Sequence, residues 1–188
     1  MRDPRTELSP GDGLLIVDVQ NDFCPGGALP IEGGDEVVPV LNAWIAAAAE
    51  KGLPVYASRD WHPLGHPSFE AEGGPWPEHC VQDTEGASFH PGLKLPANTV
   101  KVTKGVRFDH DQYSAFDENG LAERMKADGV SRLWIGGLAL DVCVKASALE
   151  AVRSGFEVHL IEGASKPVSA EGGRAALEEM KAAGVVLE

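Results

Sequence analysis

Asp18, Lys104 and Cys143 lie far apart in the chain, and their types suit nucleophilic acyl chemistry. A thiol nucleophile needs a base to take its proton and a positive neighbour to steady the charge that follows. Asp18 closes the apolar run Gly13 to Val17, Lys104 follows the run Thr99 to Thr103, and Cys143 comes soon after Leu133 to Ile135 and the pair Gly136-Gly137. The glycines are expected to break that strand. A helix is then expected from Asp141, whose short carboxylate makes it a candidate N-cap. Cys143 would occupy the first helical turn, where backbone N–H groups and the helix dipole favour a thiolate. Such a place can bring a thiol pKa from about 8.5 down to roughly 3.5–7.5. The same N–H groups could hold an oxyanion. Singly, each residue has an ordinary explanation: Cys143 as a small buried hydrophobe, Asp18 as a turn residue, Lys104 as an exposed strand end. Their convergence at one sheet edge is what would make them a triad.

A second constellation is Asp60, His62, His66 and His79, in Arg59-Asp-Trp-His-Pro-Leu-Gly-His66 and Pro75-Trp-Pro-Glu-His-Cys80. Asp60 and His62 are two apart, so an extended backbone turns both to one side. Two histidines and a carboxylate with open positions suit Zn²⁺, with Fe²⁺ or Mn²⁺ as alternatives. A lone loop histidine usually makes ordinary hydrogen bonds; Asp-x-His with two further histidines in the same loop favours a metal. Cys80 would point away from His79 in an extended segment and is expected to pack.

The elements that must position these groups follow from periodicity. Gly13 to Asp18 reads as a central strand buried on both faces. Val37, Val38, Leu41, Trp44, Ile45 and Ala48 have helical spacing over 35–51, with Pro39 near the first turn and Gly52 as the stop. Further strands are expected over 54–58, 99–103, 133–135, 156–161 and 185–187, and helices over 121–128, from 141 onward, and over 170–183. Residues 1–12 are expected as a loose polar arm, and 13–188 as one domain. Its loop 59–96 is too long to be an idle connection. Strand–helix alternation implies an α/β fold, a doubly wound, mainly parallel six-stranded sheet with helices on both faces. Ligands bind beyond the carboxyl ends of such strands, which is where Asp18, Asp60, Lys104 and Cys143 fall.

The chain has 188 residues and a formal net charge of -13. That charge argues against nucleic acid or an anionic membrane as partner. No apolar run approaches the roughly 18 residues that span a membrane, and the N-terminus lacks a signal-peptide core. The odd set Cys24, Cys80 and Cys143 makes no disulfide framework, so a reducing, cytoplasmic setting is expected. No GxSxG elbow, P-loop, HExxH or dinucleotide glycine fingerprint is present.

Val17-Asp-Val-Gln-Asn-Asp-Phe23, Ser58-Arg-Asp-Trp-His-Pro63, Trp76-Pro-Glu-His-Cys-Val-Gln82, Thr84-Glu-Gly-Ala87, Lys104-Gly105, Tyr113-Ser-Ala-Phe116 and Gly137-Leu-Ala-Leu-Asp-Val-Cys143 together resemble the nicotinamidase (pyrazinamidase) branch of the isochorismatase-like cysteine hydrolases. The likeness runs in order from about residue 13 to 165. It implies hydrolysis of nicotinamide, and of pyrazinamide, to the acid and ammonia through a cysteine thioester, in NAD salvage. It implies a triad of Asp18, Lys104 and Cys143, an oxyanion hole from the N–H groups of Ala139 and Cys143, and a cis peptide at Leu138–Ala139. It implies one divalent metal, zinc foremost, on Asp60, His62 and His79, with His66 as a candidate further ligand. The substrate pocket it implies comprises Phe23, Leu29, Trp76, Tyr113 and Leu138. The oligomeric state stays open, a homo-oligomer included. The rival readings are another amidase or carbamoyl hydrolase of the superfamily, and an inactive metal-binding homologue.

Overall fold

The computed structural model describes residues 3–188; residues 1 and 2 of the expected arm lie outside the described residues. Six strands form one parallel sheet: β1 (Asp12–Val17), β2 (Val55–Asp60), β3 (Val100–Lys104), β4 (Arg132–Leu138), β5 (Glu157–Lys166) and β6 (Val186–Leu187), in the order β3-β2-β1-β4-β5-β6. Leu14, Leu15, Ile16 and Val17 of β1 are all 0% exposed, as a run apolar at every position requires. Their side chains alternate. Leu14 and Ile16 join the core under α2 (Val37–Glu50), with Leu41, Trp44 and Ile45. Leu15 and Val17 join the opposite core under α3 (Leu121–Ala127), α4 (Lys145–Arg153) and α5 (Ala170–Ala182), with Met125, Ala148 and Met180. Burying each such aliphatic side chain stabilises by about 1.5–3 kcal/mol, so a polar residue at any of these four positions would disrupt the layer it faces. Residues 3–12 are packed against the domain and not a loose arm. A short helix, α1 (Pro4–Glu7), is capped by Asp3; Leu8 is buried, and Lys51 Nζ donates to its carbonyl at 2.6 Å.

Chain order reverses direction between β1 and β4. The chain runs outward from β1 through β2 to β3, then returns to pair β4 on the other side of β1. This switch point opens a crevice beyond the strand ends. Gly136 and Gly137 do not end β4, contrary to their usual effect, because the strand needs their missing side chains. A Cβ on Gly137, at φ +139°, would fall 2.0 Å from the Val17 carbonyl oxygen, and one on Gly136 would fall 2.8 Å from Ala164. The close pairing of the β1 and β4 ends that carry Asp18 and Cys143 therefore depends on glycine. The segment between β2 and β3 is almost wholly irregular, with one 3₁₀ turn at Glu70–Glu72 and the isolated bridges His62 to Val81 and Phe69 to Trp76.

Candidate active site

Lys104 ends β3 with its side chain 0% exposed. Its Nζ lies 2.7 Å from Asp18 Oδ2, 2.6 Å from Asp60 Oδ1 and 3.4 Å from Cys143 Sγ, and donates to the Gln112 carbonyl at 3.3 Å. Asp18 follows β1 in a left-handed conformation, φ 48°, and its Oδ1 accepts from Ser58 Oγ at 2.7 Å. Two carboxylates of one buried cation's shell outweigh the cost of burying it, so Lys104 is held well above its ordinary pKa. The three residues that sequence spacing could only suggest as a triad thus meet at a single ammonium.

Cys143 lies in a π-helical turn, Leu140–Val144, that runs into α4. Such turns recur at functional sites because they re-aim one side chain. Ala139, and not Asp141, occupies the N-cap position, after a cis peptide at Leu138–Ala139. Asp141 is turned instead to the start of α5, where its Oδ1 accepts from Val168 N at 2.8 Å and its Oδ2 from Ser169 N at 3.2 Å. The thiol also departs from expectation. Burial pushes Cys143 well above its ordinary value, and the charges of Asp18 and Asp60 add to this against Lys104. Helix-end position favours a thiolate, but two carboxylates in a water-poor site win. Asp18 is raised as well, by burial first and Asp60 next, opposed by Lys104. Forming the thiolate therefore calls for a base, and Asp18 brings a carboxylate oxygen to within 4.8 Å of the sulfur.

Asp60, His62 and His79 bring one donor atom each to within 4.8 Å of one another. Gln20 clamps Asp60 by both backbone groups: Oε1 accepts from Asp60 N at 2.8 Å and Nε2 donates to Asp60 O at 2.8 Å. His62 Nδ1 donates to the His79 carbonyl at 3.0 Å, and His79 Nδ1 to the Pro77 carbonyl at 2.7 Å. A carbonyl can only accept, so these rings carry hydrogen on Nδ1 and, when neutral, leave the Nε2 lone pairs free, the usual orientation of metal-ligating imidazoles. His62 Nε2 is buried without a hydrogen-bond partner. Gly105, at φ +69°, makes room for it, since a Cβ there would fall 2.7 Å from that atom. One ammonium faces two buried carboxylates, which leaves excess negative charge beside those free lone pairs. The donor set and the charge both fit a divalent cation.

His66 is not in that trio. It joins His62 and Asp111 in a second, overlapping group. Its Nδ1 faces Ser68 Oγ at 2.7 Å, and its Nε2 is buried without a partner. Asp111, whose Oδ1 is 3.5 Å from His62 Nε2, was not singled out by sequence reasoning. It sits in an irregular polar stretch with no periodicity to mark it. Ser58 was also missed, although alternation in β2 puts it on the same side as Asp60. Cys80 is a fully buried free thiol, as expected, and its N–H donates to Asp22 Oδ2 at 2.7 Å.

Asp60, His79, Asp111 and Cys143 open on one cleft, whose other walls are Phe23, Leu29, Pro30 and Ile31, Trp76 and Tyr113, Ala139, Val142 and Val168. Four of the five expected pocket residues line it. Leu138 does not; it is 0% exposed, packed into the α2-side core behind Phe23, Ile31 and Ala139. Trp76 Nε1 donates to Tyr113 Oη at 3.1 Å, joining two loops at the cleft wall.

The isochorismatase domain family matches residues 12–188. The Escherichia coli nicotinamidase is 38% identical over 95% of this chain and 94% of its own. The chain belongs to the isochorismatase family, in its nicotinamidase/pyrazinamidase branch. Among solved members, the zinc complex of Pyrococcus horikoshii pyrazinamidase is 45% identical, with a TM-score of 0.92 over 95% of this chain and 99% of that one. The L. infantum protein PnC1 in complex with nicotinate is 39% identical, with a TM-score of 0.86 over 94% and 91%. The all-parallel sheet order is the family's fold on this chain's own residues. No helix among the described residues is long and apolar enough to cross a membrane.

Proposed function

We infer that this family member is an amidohydrolase that converts nicotinamide, and pyrazinamide, to the carboxylic acid and ammonia through a thioester on Cys143. The observation that carries this reading is the meeting of a thiol, an ammonium-bridged carboxylate and an aromatic-walled cleft within hydrogen-bonding reach of one another. The nicotinate complex of the L. infantum relative and the E. coli nicotinamidase support the substrate class.

In this reading Asp18 takes the Cys143 proton, and Lys104 stays charged between them. The sulfur attacks the amide carbon, and the carbonyl oxygen gains the negative charge. Ala139 and Cys143 both line the cleft, and their N–H groups are the donors proposed for that oxyanion; one such donor is worth about 10²–10³ in rate. Collapse of the tetrahedral species breaks the C–N bond, and Asp18 returns its proton to the departing ammonia. Water, giving a proton to Asp18, then attacks the thioester. The acid leaves, and the thiol recovers its proton.

Asp60, His62 and His79 are the residues that would hold the metal, with zinc favoured by the P. horikoshii relative. A bound divalent ion would supply a Lewis-acidic contact for a ring nitrogen. Phe23 and Trp76 line the same cleft as Asp60 and His79 and suit a flat ring. The test is ammonia release from nicotinamide by purified protein, before and after chelation. Hydrolysis that chelation depresses supports the reading; an intact amide at high enzyme concentration refutes it.

A further inference from the structure

The walls of the cleft are unequal in burial. Phe23, Ile31, Ala139 and Cys143 are each at most 7% exposed, whereas Val168 is 48% and Tyr113 38% exposed and Pro30 is exposed, so Val168 stands at the mouth with these two. Val168 belongs to the connection between β5 and α5, and its backbone is not free. Asp141 Oδ1 accepts from Val168 N at 2.8 Å and Oδ2 accepts from Ser169 N at 3.2 Å. Asp141 sits two residues before Cys143 in the same π-helical turn, so one carboxylate sets how far the mouth stands from the nucleophile. The neighbouring chain keeps that carboxylate in place. A Cβ on Gly172 would fall 2.4 Å from Asp141 Oδ2, and one on Gly173 would fall 2.9 Å from Pro167. Ser169 Oγ accepts from Gly172 N at 3.0 Å, which closes the start of α5 onto the same connection. A wall tied at both its own N–H and the next does not yield easily to a larger ligand.

We propose that Val168 is a specificity-determining residue that limits the cleft to single-ring amides, and that Asp141 is the positioning residue that holds it there. The inference rests on the aryl-amidase reading and refines its substrate class. Apolar walls discriminate by volume, and one methylene is worth about 10–200-fold in kcat/KM. A ring fused to the pyridine and growing toward the mouth would meet the Val168 wall, which is the mouth residue tied by its backbone to the turn that carries Cys143.

The test compares kcat/KM for nicotinamide and for quinoline-3-carboxamide in wild type, Val168→Ala, Asp141→Asn and the double variant. Asparagine offers one acceptor where aspartate offers two, so Ser169 N loses its partner. The wild type should favour nicotinamide strongly. Val168→Ala should raise the quinoline-to-nicotinamide ratio by at least about tenfold. Asp141→Asn should raise the same ratio, and the double variant should add little to Val168→Ala, because both changes release one wall. A ratio unmoved in Val168→Ala overturns the inference. So does an Asp141→Asn variant that loses both substrates equally, which is what mere destabilisation of α5 would give. A wild type active on nicotinamide separates either failure from failure of the aryl-amidase reading, which would show as no hydrolysis of either amide.

Discussion

The two halves of the cleft are built by different means. Asp18, Asp60, Lys104 and Cys143 stand at or just past the ends of β1, β2, β3 and β4, so the sheet's own spacing of about 4.8 Å brings them to a common point. His62, His66 and His79 stand in irregular chain, and each ring is aimed by a side-chain bond to local groups: the His79 carbonyl, Ser68 Oγ and the Pro77 carbonyl. Asp60 belongs to both halves, with Oδ1 on Lys104 and its backbone clamped by Gln20. The difference implies a division of labour. The strand-end half supplies a nucleophile whose geometry the fold determines, and the loop half supplies recognition that local contacts tune. Chemistry and selectivity should therefore respond separately to substitution.

The largest effect should come from the strand-end half. Cys143→Ala should lower ammonia release from nicotinamide on the order of 10⁶-fold, as loss of a nucleophile does elsewhere. Its circular dichroism should stay that of the wild type, since a smaller side chain at the cleft disturbs little core. Asp18→Asn keeps the shape and removes the base, and should cost about 10²–10⁴ in kcat. Iodoacetamide should also alkylate its Cys143 more slowly; an unchanged alkylation rate would mean that Asp18 does not activate the thiol.

The loop half should answer to a different readout. Gln20→Ala frees the Asp60 backbone, and zinc titration of the chelated protein should show about 10–100-fold weaker binding. Cys143 alkylation should move far less. Equal losses in both would erase the division between the halves.

The smallest effect is in the pH profile. Burial raises Asp18 above the ordinary carboxylate value of 3.8, and a protonated Asp18 cannot accept the thiol proton. Activity should therefore fall on the acid side with a midpoint above that value. The Ser58 hydroxyl bonds the ionised form, so Ser58→Ala should move the acid limb of kcat/KM further up while changing the plateau modestly. A limb that moves down would reverse the assigned sign.

Strand ends were legible in the sequence because each apolar run stops at a polar residue. The apolar run Gly13 to Val17 points to Asp18, whereas Thr99 to Thr103 is legible as a strand from its β-branched residues and leads to Lys104. The actual lengths were not. β4 continues through Gly136-Gly137, since what those residues avoid is the Val17 carbonyl on another strand, and no local rule sees that. Asp141 looked like a cap from its neighbours alone, but the N–H groups it serves, on Val168 and Ser169, lie 27 and 28 residues on. The thiol's upward shift was hidden for the same reason, because two of the charges that act on Cys143 come from β1 and β2. Asp111 and Val168 lie in connections without period, where only the folded chain reveals what they face.

The most direct test of the division of labour is the ratio of kcat/KM for nicotinamide over benzamide, with metal and after chelation. Benzamide has the same outline and lacks the ring nitrogen. A site built around one polar contact can reject an analogue that lacks it by up to about 10⁴. The account predicts a large ratio in the metal-loaded protein that collapses toward one after chelation, while Cys143 alkylation persists. A ratio near one in the metal-loaded protein would contradict it and leave Asp60, His62 and His79 a structural role alone.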